Sequence, residues 1–148
     1  MPCNNWLKVA LIDEFEHVLW GILVNLPLIF HNWKLLTVAI IFSFLIDIDH
    51  LIWARSLSIK RMLNLGGRPA FHSVPAVLAI ASIVYLISGS VFITAVSLNS
   101  MGSHLIWDLA TGGVKLIYPW PKKFVISKKA AFLLFLILFA IAFIITLT

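Results

Sequence analysis

The chain has 148 residues, of which 61% are hydrophobic types and 11% charged, and its mean hydropathy is +1.04. Soluble domains carry about 45–50% apolar and about 25% charged residues, so this composition excludes an ordinary water-soluble fold and points to a single integral-membrane domain over residues 1–148. The net charge of +5, from 11 Lys and Arg against 6 Asp and Glu, then reads as membrane topology and not as a nucleic-acid footprint. One cysteine, Cys3, rules out an intrachain disulfide framework. The acidic residues that follow Lys8 do not suit a cleaved signal peptide, and none is expected.

A helical crossing needs about 17 to 25 mostly apolar residues, and five such windows follow one another. The first runs from about Val9 to Phe30, with Asp13, Glu14, Glu16 and His17 in its opening turns and Pro27 near its end. The second covers about Trp33 to Trp53. The third starts near His72 and stops at Ser88-Gly89-Ser90, and the fourth continues to about Leu109. The fifth spans roughly Lys129 to Leu147. The expected fold is therefore all-α, a polytopic bundle of about five transmembrane helices.

Cytoplasmic loops retain Lys and Arg. With five crossings, Lys8, Arg55, Lys60, Arg61, Arg68, Lys115, Lys122, Lys123, Lys128 and Lys129 fall on one side and Lys34 alone on the other. This asymmetry predicts an N-inside, C-outside arrangement in the inner (cytoplasmic) cell membrane. Trp6, Trp53, Trp107 and Trp120 then lie near the inner interface and Trp33 near the outer one, where indole rings are favoured.

Ionisable groups at membrane depth are costly, about 2.5–3.5 kcal/mol each on insertion scales, and they need partners or a purpose. All six acidic residues and four of the five histidines lie in or beside the windows, and the topology brings them to the cytoplasmic leaflet. His104 and Asp108 are four apart and share a helix face. Asp47, Asp49 and His50 cannot share one regular face, so the second helix is expected to end or unwind there and turn Asp49 and His50 toward a common centre. Glu14 and His17 are three apart and can face the same cavity. A mixed carboxylate and imidazole set suits zinc, or manganese or iron, better than magnesium or calcium. Read singly, His104 with Asp108 could be a hydrogen-bonded couple and Asp47 to His50 an interfacial helix end; His31 reads as an ordinary interfacial residue and Asp13 as a solvated helix start. Convergence from four windows favours a metal site. The candidate ligands are Asp49, His50, His72, His104 and Asp108, with His17 next. Asp47 reads as a ligand, a partner orienting a histidine, or a general base. Arg68 is either a topological charge or a clamp for a substrate anion, and Ser73 a helix cap or ligand partner.

The ordered blocks Ile46-Asp47-Ile48-Asp49-His50, Arg68 through His72-Ser73, and His104-Leu105-Ile106-Trp107-Asp108 with Thr111, Gly113 and Tyr118-Pro119 resemble the YdjM-like family of predicted membrane-bound metal-dependent hydrolases. The likeness extends from His17-Val18-Leu19-Trp20-Gly21 to Pro119. Members usually carry Pro where this chain has Ile46, and His, Gly and Thr where it has Gly67, Pro69 and Phe71, so any role of that histidine or threonine is absent here. A fainter similarity is to zinc-dependent phospholipase C-type enzymes. The resemblance implies metal-dependent hydrolysis. Together with the site's depth it suggests a phosphoester substrate, lipid or lipid-linked, with Asp47 and Arg68 as catalytic residues and membrane lipids as the surroundings. A small ion or proton carrier and a non-catalytic scaffold subunit are the competing classes.

Overall fold

The computed structural model describes residues 4–55, 70–118 and 122–148. Seven helices occur among them: α1 (Asn4–Val24), α2 (Leu26–His31), α3 (Leu35–Leu45), α4 (Ile48–Ala54), α5 (Val74–Ser88), α6 (Val91–Thr111) and α7 (Lys128–Thr146). The class is all-α, and no strand forms among the described residues beyond an isolated bridge between Val114 and Phe124.

Two of the expected windows are broken helices. In the first, Pro27 supplies no N–H for the carbonyl one turn back, and its ring crowds that turn. The helix accordingly stops at Val24 and restarts at Leu26. Asn25, fully buried at the break, donates from Nδ2 to Gly21 O at 2.8 Å and to Ser100 Oγ at 3.0 Å, fastening α1 to α6. In the second, the ladder fails at Ile46 and Asp47: the Asp47 N–H bonds Phe44 O at 3.0 Å, one residue short of its regular acceptor, Ser43 O. The unwinding expected around Asp47 and Asp49 is thus present, and it falls just before α4.

Among the described residues, two stretches, Leu35–Ala54 and Lys128–Thr146, are long and apolar enough to cross a membrane by length and composition. α5, at 15 residues, is about 22 Å long, short of a hydrocarbon core of about 30 Å. α1 and α6 each have 21 residues, but carry the acids, histidines and serines that lower their hydropathy.

α6 is the central post and packs against α1, α3, α5 and α7. Its buried set includes Ser97, Asn99, Ser100, Ser103, His104 and Asp108 as well as Val96, Met101, Leu105 and Leu109, so it is enclosed on several sides. Small side chains permit that close approach. One apolar cluster (Ile46, Val77, Ala81, Met101, Leu105, Leu109, Val114) joins α5 and α6 and supports the end of the bundle that holds the acids and histidines. A second, with Leu28, Leu35, Ala39, Val96 and Ala142, fills the opposite end. A third sets Trp20 and Trp107 against Phe135. Trp107 therefore serves packing, and it also donates to Glu16 Oε2 at 3.0 Å. Trp33 and Trp53 remain exposed.

After α6 the chain is clipped back onto the bundle. The N–H groups of Gly112 and Gly113 both bond Asp108 O, Val114 and Phe124 exchange two backbone bonds, Ile126 N bonds Leu109 O, and Val74 N bonds Leu116 O. This clip ties the end of α6 to the start of α5, immediately beside His72.

Candidate metal centre

The helix break at Asp47 does two things at once. It tips the Asp47 carboxylate inward, and it leaves the Ser43 carbonyl without its regular helical donor. His104 takes that carbonyl: its Nδ1 lies 2.8 Å from Ser43 O. A carbonyl only accepts, so Nδ1 carries a proton and Nε2 is turned to the interior. Asp108, one turn further along α6, stands on the same face. Both residues are fully buried.

His72 enters from the segment before α5, and it too is fully buried. Asp49 lies against its Nδ1, with both carboxylate oxygens at 3.4 Å. The Phe71 N–H holds Asp49 Oδ2 at 2.7 Å. The Nε2 atom of His72 consequently points away from Asp49 and toward Asp47 and Asp108.

Four groups then face one another. His72 Nε2 lies 3.2 Å from Asp47 Oδ1 and 3.4 Å from Asp108 Oδ2. His104 Nε2 lies 3.3 Å from Asp47 Oδ2 and 3.5 Å from Asp108 Oδ2. Neither Nε2 atom, nor Asp47 Oδ2, has a hydrogen bond of sound geometry despite being buried. Two imidazole nitrogens facing two carboxylates form a donor set suited to a cation. Zn–N of about 2.0–2.1 Å and Zn–O of about 2.0–2.2 Å place neighbouring ligands of a tetrahedron about 3.3–3.6 Å apart. The four separations, 3.2–3.5 Å with Asp47 meeting His72 through Oδ1 and His104 through Oδ2, lie close to that edge, so the residues are able to hold a divalent ion.

The remaining sequence candidates surround this quartet. His50 Nδ1 lies 3.1 Å from Asp47 Oδ1 and 3.4 Å from Asp49 Oδ1. His17, from α1, stacks face to face on His104, with centroids 3.6 Å apart and planes 9° apart. Two trios, His17 with His104 and Asp108, and Asp47 with His50 and His72, each hold ligand atoms within 4.8 Å of one another. Glu14 neighbours Asp47 and His17 and keeps one carboxylate oxygen buried. His31 sits at the other end of the bundle, stacked on Phe92, and takes no part. Ser73 occupies the capping position of α5 without capping it; its hydroxyl donates to Ala70 O at 2.7 Å. Arg68, the expected anion clamp, lies outside the described residues, as do Gly67 and Pro69. Ser43 was not among the sequence candidates, because its contribution is a main-chain carbonyl with no side-chain signature.

The fold and this centre together define a class: an all-helical membrane protein with a buried constellation of histidines and aspartates able to hold a metal ion. The blocks that carry the earlier resemblance are those that converge here. The chain belongs to the YdjM inner membrane protein family, whose model matches residues 12–148. No curated protein and no solved structure matches it.

Proposed function

We propose that this protein is a membrane-embedded, metal-dependent hydrolase acting on a phosphoester, lipid or lipid-linked, at the cytoplasmic leaflet. The observation that carries the reading is the quartet His72, His104, Asp47 and Asp108, three buried groups and the half-buried Asp47, whose nitrogens and oxygens lie 3.2–3.5 Å apart. Zinc is the first candidate, with manganese or iron as alternatives. When bound there, such an ion lowers the pKa of a coordinated water toward ~7 and polarises a phosphoryl or carbonyl oxygen.

The chain's own residues supply the rest. Ser43 O and Asp49 hold the two imidazoles in the orientation that exposes Nε2. An apolar cluster that includes Ile46, Leu105 and Leu109, chain neighbours of Asp47, His104 and Asp108, packs beside them. Arg68 is assigned the substrate's anionic group, and Lys115, Lys122, Lys123, Lys128 and Lys129 provide a positive surround at the end of the bundle where the clip lies. The membrane arrangement that goes with this reading has five crossings, N-terminal side inside and C-terminal side outside. α1, α5 and α6 then cross although they fall short of the usual length or apolarity, because their polar groups face the interior. A centre buried at the end of such a bundle is reached more readily by a lipid than by a large soluble substrate.

A carrier reading draws on one observation: Asn25, Ser97, Asn99, Ser100 and Ser103 form a buried polar seam that extends along α6 from His104. One preparation separates the readings. The protein is purified in detergent, its metal content is measured by elemental analysis, and a panel of phosphodiesters and phosphomonoesters is assayed, for the wild type and for His104→Ala and Asp108→Ala. Bound metal and hydrolysis, both lost in the two variants, support the enzyme. Metal-free protein that moves ions in vesicles overturns it in favour of a carrier, and protein with neither metal nor flux overturns it in favour of a scaffold.

A further inference from the structure

We infer that the centre holds two ions, not one, bridged by Asp108, with the second ion on His17. The inference rests on the metal reading above and goes beyond it in number and in ligand assignment. Its first support is that His17 is fully buried while neither ring nitrogen has a hydrogen bond of sound geometry. His17 is not aimed at a hydrophobic wall: Nε2 lies 3.4 Å from Asp108 Oδ1 and 3.8 Å from Asp13 Oδ1.

The second support is directional. An imidazole coordinates through a lone pair in the plane of its ring. The His17 and His104 rings are stacked within 9° of parallel and 3.6 Å apart, so their in-plane lone pairs run side by side and do not converge. One ion cannot lie on both. Although His17, His104 and Asp108 bring ligand atoms within 4.8 Å of one another, the stack assigns the two histidines to neighbouring ions.

The third support is the way Asp108 divides its oxygens. Oδ1 faces His17, and Oδ2 faces His72 and His104. That is the disposition of a carboxylate shared between two ions. The first ion takes His72, His104, Asp47 and Asp108 Oδ2; the second takes His17, Asp108 Oδ1 and Asp13, with Glu14 adjacent.

Manganese serves as the probe. The detergent-purified protein is stripped with a chelator, reloaded with Mn(II) and freed of excess, and manganese per chain is measured by elemental analysis alongside electron paramagnetic resonance. Two ions per chain with an exchange-coupled signal, falling to one per chain with an isolated six-line signal in His17→Ala, is the expected result. One ion per wild-type chain overturns the second ion while leaving the metal reading intact. No ion overturns both. Two ions without coupling overturn the bridge, and a His17→Ala protein that keeps two coupled ions overturns the assignment to His17. The wild-type stoichiometry and spectrum are decisive even if that variant fails to fold.

Discussion

At the scale of single residues, the centre depends on groups that fix orientation as much as on groups that face the ion. Asp49 is the clearest case, since it contacts the Nδ1 of His72 and is itself held by a backbone N–H. Partners of this kind typically contribute 10- to 100-fold in metal affinity. Asp49→Asn is therefore expected to weaken metal binding about 10- to 100-fold while the chain stays folded, measured by competition with a fluorescent chelator in detergent; unchanged affinity would remove Asp49 from the site. The sequence carried part of this. The four-residue spacing of His104 and Asp108 put them on one face, and the crowding of Asp47, Asp49 and His50 foretold a broken helix. It could not separate the duties of Asp47 and Asp49, because two carboxylates two residues apart differ only in which side of His72 they meet, and that is decided by packing against the segment before α5. Nor could it single out Ser43, whose carbonyl is released by a backbone deformation.

At the scale of elements, two glycines mark where helices or loops come closest. A Cβ on Gly21 would collide with Ser43 Oγ, so α1 and α3 touch at this point through the absence of a side chain. Gly21→Ala is expected to cost about 1–3 kcal/mol through overpacking, read as a lower thermal midpoint in detergent. The double variant Gly21→Ala, Ser43→Ala should recover much of the loss, because it removes the colliding hydroxyl and keeps the carbonyl that His104 uses. A midpoint no better in the double variant would show that the contact is not what limits the approach. Gly113 has φ +77°, and a Cβ there would lie 2.8 Å from Phe124 O. Gly113→Ala should loosen the clip between Val114 and Phe124, seen as faster amide exchange at both residues. These requirements are hard to see in the sequence: Gly21 sits inside a helical window where glycine is merely unfavourable, and only the partner across the interface explains it. Pro27, by contrast, announced the interruption of its helix directly.

At the scale of the whole molecule, the apolar windows anticipated the all-α class and the order of the helices. Crossing is another matter, since two stretches qualify on length and apolarity alone. α1 and α6, which carry His17, His104 and Asp108, do not qualify because their polar groups depress hydropathy, whereas Leu35–Ala54 qualifies although it carries Asp47, Asp49 and His50. The five-crossing arrangement makes a direct prediction. With Cys3 replaced by Ser, a cysteine at Lys34 should react with a membrane-impermeant thiol reagent added to intact cells with a permeable outer envelope, and a cysteine at Lys122 should react only after the inner membrane is opened. The reverse pattern would invert the topology and move the centre to the other leaflet. Every candidate ligand lies between Asp13 and Asp108, and α7 contributes none, docking onto α1, α2 and α6 by apolar contacts. The chain up to Asp108 thus holds every candidate ligand, and the last helix adds apolar packing alone.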